Sequence, residues 1–375
     1  MSQPYDTDVL IIGGGPAGLA AAIAVRRKGL RAVVVDANIP PIDKACGEGL
    51  MPEAIEALEQ LGVELPLNHG LPFLGIRFLE DGLIAAAEFP NAGAFHHGLA
   101  IRRTELHQAL VNAAESAGVE FFWGTPVTGL STDGALLQFG AEPRHISCRW
   151  LVGADGGQSR VRSWAGIRTR ETSVRYGFRR HYELEPWSDH VDVHWANDFQ
   201  IYIAPVDAHE VCVALLARDP QLRIDDALEY FPELQERLEG APHLSQERGG
   251  ISAMRSVAAV TQGRIALIGD ASGSVDAITG QGICLAFQQV LALAGALANE
   301  DLESYEALHR KILWRPRVMA NTLLLVDRYP LLRARVLPLL VAFPKLFGVL
   351  LAFHVGAVAK TAGSLRPAAL IDKRA

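Results

Sequence analysis

The sequence predicts an α/β protein in which a parallel sheet, assembled from separated stretches of chain, is interrupted by an inserted antiparallel β-sheet and followed by a C-terminal helical segment. Three observations predict it. A strand, a glycine turn and a helix open the chain at DVLIIGGGPAGLAAAIAVRRKG. A glycine turn follows a strand again at RWLVGADGGQSRVRSWAG and at RIALIGDASGSVDAITGQG. Between those two later turns the pattern changes to period-two alternation, as in VDVHWANDFQIYIAPVDAHEVCVALLA.

Asp8 to Ile12 reads as a short, fully buried strand; GGGPAG turns it into the helix LAAAIAVRRKG, which stops at Gly29, and RAVVVD is the next strand, ending at Asp36. This is one βαβ unit, the start of a Rossmann-like sheet. PEAIEALEQLGV predicts a helix from about Pro52 to Gly62, and RRTELHQALVNAAESAGV an amphipathic helix ending at Gly118, with the strand-like EFFWGTPVTGL after it. Alternation from about Thr172 to Leu216 predicts the antiparallel sheet, and from Gly263 the strand RIALIGD returns to a glycine turn and then helices. Near the C-terminal end an apolar run from Val336 to Val358 approaches the length of a membrane span, but Pro338, Pro344 and Lys345 divide it. It reads as a span, as a helix pair lying on lipid, or as a buried cover over the site, the last being the expectation.

Composition narrows the function. With 375 residues, 49% of them apolar, the chain can bury a large core and build two closely packed domains. A net charge of −7 without a long basic run argues against a nucleic-acid partner. Cys46, Cys148, Cys212 and Cys284 form no CxxC pair and no metal-ligand spacing, which fits reduced thiols in the cytoplasm and no metal. MSQPYDTDVLIIGGG lacks a basic segment followed by a long apolar one, so no export signal is expected.

The first glycine turn carries chemistry. Gly13 permits the tight turn, Gly15 lets a pyrophosphate approach the backbone and Gly18 lets helix and strand pack closely; Pro16 and Ala17 belong to the same helix start, whose free amides favour phosphate. Asp36 would accept hydrogen bonds from an adenosine ribose. Strand, helix and acid in this order predict a dinucleotide without separating FAD from NAD.

Together with GADGGQSRVR (Gly153 to Arg162) and RIALIGDASGSVDAITGQG, this fingerprint resembles the flavoprotein family that includes p-hydroxybenzoate hydroxylase, geranylgeranyl reductases and flavin-dependent halogenases, over nearly the whole chain and in order. The resemblance implies FAD as cofactor and NAD(P)H as transient electron donor. It implies a Rossmann-like FAD-binding domain of the glutathione reductase type over 1–75, 98–170 and 260–320, a substrate-binding sheet over 76–97 and 171–259, and apolar helices over 321–375. The first turn would then hold the adenosine diphosphate, and Asp155 would serve the pyrophosphate region and NAD(P)H access. Gly269 and Asp270 would meet ribityl or ribose hydroxyls, and Arg103 of RRTEL, with Val127, would contact FAD. Ala271 to Ser274 are small enough to let the cofactor pass. Gly280 and Gly282 expose amides at the start of ICLAFQQ, where a helix N-terminus would stabilise reduced flavin.

Departures from the family set the reaction expected. DKACGEGL is similar to the CGGGL segment of the reductases, which brings Cys46 near the flavin as a group that tunes or protonates. Ala277 stands where those reductases carry proline, and FQIYIAP matches their Y-x-W-x-F-P segment only at Tyr202 and Pro205; both tryptophans of the halogenase segment are missing. Lys44 and Glu48 flank Cys46, nothing in spacing selects a base among His96, His97, His181 and His194, and Trp195, Phe199 and Tyr202 are expected to wall the flavin. The leading expectation is an NAD(P)H-dependent flavin monooxygenase of an apolar substrate, phenolic, polyketide-like or lipid. Next comes a reductase of isoprenoid C=C bonds, then a halogenase or a non-catalytic FAD protein. No second GxGxxG is present, so NAD(P)H binds transiently or a separate flavin reductase supplies electrons. A cytoplasmic protein is expected, peripheral membrane contact through the C-terminal helices being the alternative to their burial over the site.

Overall fold

The computed structural model describes residues 5–65, 70–90, 96–139 and 142–357. The parts of the expected tracts that fall on 1–4, 66–69, 91–95, 140–141 and 358–375 lie outside the described residues. Five parallel strands form the first sheet in the order Ile265–Leu267, Glu142–Gly153, Thr7–Ile12, Ala32–Val35 and Glu120–Phe122, with Thr261–Gln262 antiparallel at one edge. Both faces are covered. Val9 and Ile11 join one apolar cluster with Leu19, Leu110 and Phe287, whereas Leu10 and Ile12 join another with Leu137 and Ile146. Burial on both sides explains why this strand is a continuous apolar run.

Three helices on the first face follow the predicted ones: α1 (Pro16–Arg27), α2 (Pro52–Leu61) and α3 (Arg103–Ser116). Gly62 closes α2 in the left-handed region at φ 68°, a cost that glycine alone escapes. The short α4 (Arg160–Trp164) is capped by the Ser159 hydroxyl, which accepts from the Arg162 amide at 2.9 Å.

The second sheet has seven strands in the order Arg248–Val257, Thr169–Glu183, Glu210–Ala217, Phe199–Asp207, His190–Trp195, Gly75–Glu80 and Leu83–Glu88. It departs from the expected antiparallel pattern at one pair, since His190–Trp195 runs parallel to Gly75–Glu80. These two strands come from stretches of chain separated by much of the first sheet, so no hairpin forces them antiparallel. α5 (Ile224–Leu228) and α6 (Pro232–Leu238) cover the outer face. A further small sheet, Gly49–Leu50, Gly98–Ala100 and Leu71–Phe73, had no sequence signal.

The chain ends in α7 (Gly282–Ala298), α8 (Leu302–Arg328), α9 (Pro330–Ala342) and α10 (Pro344–His354). α8 runs unbroken through Pro316 and Ala320, and the Tyr305 hydroxyl donates to the Leu267 carbonyl at 2.7 Å, tying it to the first sheet. α9 and α10 turn back onto the second sheet, where Leu337, Leu340, Phe347 and Leu351 pack with Phe73, Ala85 and Phe89. Polar contacts fix the same junction: Arg333 Nε donates to Glu80 at 2.6 Å, and the fully buried Arg175 reaches Asp327 of α8 at 2.5 Å. No helix among the described residues is long and apolar enough to cross a membrane; α9 and α10 pass that test only together, and they meet at 106°.

Candidate active site

The carboxyl ends of the parallel strands turn into loops at Gly13, Asp36, Ala154 and Ile268, on the side where open α/β sheets bind ligands. A cavity of about 1010 Å³ begins among the first three of these loops and Gly269, and continues between the two sheets to α8, α9 and α10. Of the residues expected to meet the cofactor, Gly13, Gly15, Pro16, Ala17, Asp36, Arg103, Val127, Asp155, Gly269, Asp270, Gly280 and Gly282 line it and Gly18 does not; Cys46 and Tyr202 line it too.

The first turn is built by close approach. Gly13 has φ +114°, and a Cβ there would meet the Ala154 carbonyl at 2.4 Å; a Cβ on Gly18 would lie 1.8 Å from the Gly13 carbonyl. Gly18 therefore presses α1 against the turn and touches no ligand space. Gly15 is different: a Cβ there meets nothing within 4 Å, because its surface opens on the cavity. Asp36 Oδ2 accepts from the Gly14 amide at 2.7 Å and Oδ1 from the Asn38 amide at 2.8 Å, so the acid holds the loop while it lines the cavity. Sequence reasoning missed His107, wholly buried on α3, whose Nε2 donates to the Gly14 carbonyl at 2.8 Å. Burial pushes its pKa down, leaving a neutral ring.

The second turn serves its own helix more than was expected. Asp155 Oδ2 accepts from the Arg160 and Val161 amides at 2.7 and 3.1 Å and so caps α4, while Oδ1 is buried without a protein partner. Arg162, another residue the sequence did not flag, donates to the Ala271 and Gly157 carbonyls at 3.0 and 2.8 Å and joins the second turn to the third. In the third, Gly269 has φ +57° and Asp270 faces the cavity with Lys44 at 3.4 Å. Gly280 follows, and a Cβ on Gly282, the first residue of α7, would meet nothing within 4 Å. Two helix N-termini, those of α1 and α7, thus open on one cavity with glycine at each.

Between these ends lies the loop of Cys46. The Glu48 amide donates to Cys46 Sγ at 3.4 Å, and Glu48 itself is buried at φ 58°, a strained conformation for a residue with a side chain. Glu48 Oε1 accepts from the Arg103 amide at 3.0 Å and Oε2 faces His181 Nε2 at 2.6 Å. Arg179 Nη1 lies 2.9 Å from His181 Nδ1; a guanidinium only donates, so Nδ1 accepts and the ring proton points from Nε2 to Glu48. Glu48, His181 and Cys212 bring donor atoms within 4.8 Å of one another, and Arg179, 3.7 Å from Glu48, supplies the cation there. Arg103 lines the cavity with its Nε buried and unpartnered.

At the far end, Trp195 and Tyr202 face the cavity with Phe78, Val326, Leu340 and Phe347. Phe199 does not. It packs on the opposite face against Tyr230 and Phe231, because residues three apart on a strand point to opposite sides. His194 also packs against Phe231, with its pKa lowered to about 4 by burial, and His96 and His97 lie off the cavity.

A long apolar slot that begins under two open helix N-termini, with an unpartnered guanidinium nitrogen and an aspartate on its wall, is shaped to hold a dinucleotide. The family model described as FAD binding domain matches residues 6–305, and the chain belongs to that family; it is an FAD-dependent oxidoreductase. Menaquinone reductase of Mycobacterium tuberculosis (strain ATCC 25618 / H37Rv) is 29% identical over 369 residues, covering 92% of this chain and 86% of the relative. A 3-(3-hydroxy-phenyl)propionate/3-hydroxycinnamic acid hydroxylase of Mycobacterium avium (strain 104) is 34% identical over 184 residues, covering 44% of this chain and 31% of the relative. The crystal structure of p-nitrophenol 4-monooxygenase PnpA from Pseudomonas putida DLL-E4 shares the fold at a TM-score of 0.79 and 18% identity, covering 94% of this chain and 98% of that one.

Proposed function

We propose that this flavoenzyme is a reductase that saturates a C=C bond of an isoprenoid lipid such as a quinone, the reading that stood second in the sequence. The observation that carries it is the apolar end of the cavity. Its ionisable side chains are already engaged: Arg333 with Glu80 at 2.6 Å, His354 Nε2 with the Thr279 carbonyl at 3.0 Å, and the Tyr202 hydroxyl with the Ile278 carbonyl at 3.4 Å. A phenol hydroxylase gains from a base near neutral pH beside its substrate. Here burial lowers His354 to about 4 and pushes the Tyr202 phenol well up, so neither group suits that task. The likeness to a menaquinone reductase over nearly the full length supports the same reading.

Bound FAD would supply hydride, with electrons drawn from NAD(P)H or from a separate flavin reductase. The chain's own contribution is positional. Gly15, Arg103 and Asp270 would hold the pyrophosphate and sugar, and the α7 N-terminus would favour negative charge on the reduced ring. Saturating C=C takes a hydride and a proton, and Cys46, on the loop lining the cavity, is the proton donor we assign. Trp195, Phe78 and Phe347 would exclude water and orient the alkene.

The test is anaerobic. Enzyme reduced with NADPH or dithionite is mixed with menaquinone or a polyprenyl lipid, and return of oxidised flavin absorbance is expected with a product whose isoprenoid chain keeps two more hydrogens after any quinol has been reoxidised in air. Reoxidation that needs oxygen, with an oxygen atom inserted into a phenol, would replace this reading by monooxygenation, which the hydroxylase likeness of part of the chain favours.

A further inference from the structure

Along residues 325–350 the molecule leaves many large apolar side chains uncovered. Leu331 is 85% exposed, Val349 60% and Phe343 59%. Leu325, Tyr329, Leu339, Val341, Leu346 and Leu350 are exposed with them, so nine of the twenty-one exposed large apolar side chains among the described residues crowd into this short stretch. Apolar residues scattered singly over a surface need no explanation, but so many exposed on three consecutive helices call for something to cover them. Its centre is the 106° bend between α9 and α10, where Leu339, Val341, Phe343 and Leu346 project around Lys345.

Charge identifies what covers it. From Arg328 to residue 357 the chain holds no aspartate or glutamate, while Arg328, Arg335 and Lys345 are exposed. The remaining stretch, 358–375, carries Lys360, Arg366, Lys373 and Arg374 against Asp372 and so offers little countercharge of its own. A second copy seated on this face would bring like charges together. An anionic bilayer receives both features at once, the apolar side chains entering the acyl boundary while lysine and arginine reach up to the phosphates. The same face leads inward: Leu350 is exposed yet lines the cavity, next to the buried Leu351 and one turn from Phe347, which line it too.

We propose that α9 and α10 dock the protein on the surface of an anionic lipid bilayer, and that the cavity opens toward the acyl region there, so that a lipid substrate enters without crossing water. The docking stands whatever the reaction; only the entry route rests on the reductase reading. The flavin-loaded protein is sedimented with phosphatidylcholine vesicles, with and without phosphatidylglycerol. Binding is expected to the anionic vesicles and to weaken as salt rises. Replacing Arg335→Glu and Lys345→Glu together should reduce it about tenfold or more, each lost cation counting about 1 kcal/mol. Leu331→Asp with Val349→Asp should abolish it while the flavin spectrum and melting temperature stay unchanged, since both side chains are largely exposed.

No sedimentation with anionic vesicles, or equal binding by all variants, overturns the proposal. So does a concentration-dependent dimer in analytical ultracentrifugation that the Leu331→Asp, Val349→Asp variant disperses, since the face would then belong to a second copy. Anaerobic saturation of the side chain of a short-chain, water-soluble isoprenoid quinone, read as two hydrogens kept after the quinol is reoxidised in air, separates the two readings. Docking variants should retain it and lose only turnover of vesicle-borne substrate, whereas a wild type lacking it would sink the reductase reading and leave the docking result intact.

Discussion

The Glu48 carboxylate and the His181 imidazole lie 2.6 Å apart, both buried, where the Cys46 loop meets the second sheet. Arg179 bonds to the other ring nitrogen and also to Asp43 at 2.6 Å, so one cluster joins both parts of the molecule. Cutting such a pair on one side leaves the other group buried without its partner. Glu48→Leu and His181→Leu should each destabilise the protein by about 3–5 kcal/mol in urea unfolding, and the double variant should cost less than the sum of the two. Additive losses would mean that the two groups do not act as a pair.

Gly15 and Gly18 separate ligand space from packing. Gly15→Val places its side chain in the open cavity, so a folded, soluble and colourless protein is expected, read from the ratio of flavin to protein absorbance. Gly18→Val collides with the Gly13 carbonyl backbone and should lower stability by about 3 kcal/mol or more. A fully yellow Gly15→Val would remove the pyrophosphate from this turn.

Phe199 and Tyr202 divide the second sheet by face. Phe199→Ala opens a hole in the outer cluster and should cost about 3–5 kcal/mol in thermal or urea melts, with the spectrum of bound flavin unchanged. Tyr202→Phe loses only a long bond to the Ile278 carbonyl, so stability should fall by less than about 1 kcal/mol, while substrate KM or the flavin spectrum responds.

Two buried histidines predict acid sensitivity. His309 and His354 have their pKa lowered by burial from the usual 6.5 to about 4, so between those values the unfolded chain takes up protons that the native state refuses. Their stabilising effect is present above about pH 6.5 and is lost as the pH falls toward about 4, by about 3 kcal/mol for each. Unfolding free energies measured from pH 7 to pH 4.5 should fall, and His309→Asn should flatten the slope. A slope unchanged by that substitution would place the proton uptake elsewhere.

Much of this was legible in the chain, for reasons that particular residues make plain. Gly13, Gly15 and Gly18 are separated by fixed short intervals between a strand and a helix, and local geometry alone dictates a tight turn into a helix N-terminus that opens on the cavity. The parity of Phe199 and Tyr202 was equally local and was overlooked: three positions along one strand always face apart. His107 and Arg162 carried no local signal, since each bonds to a carbonyl in a turn formed by other residues. The parallel pairing of His190–Trp195 with Gly75–Glu80 was hidden for the same reason.

By itself the sequence determined the cofactor class, the two-sheet architecture and most of the turns that line the cavity, because short-range spacing and periodicity encode turns, strands and helix starts. Only the tertiary structure decided what meets across long separations. It set Glu48 against His181, 133 residues apart, gave Asp155 to α4 as a cap, and joined the exposed bend of α9 and α10 to the inside of the cavity. Such contacts follow from how whole faces pack, and no local window of sequence contains both partners.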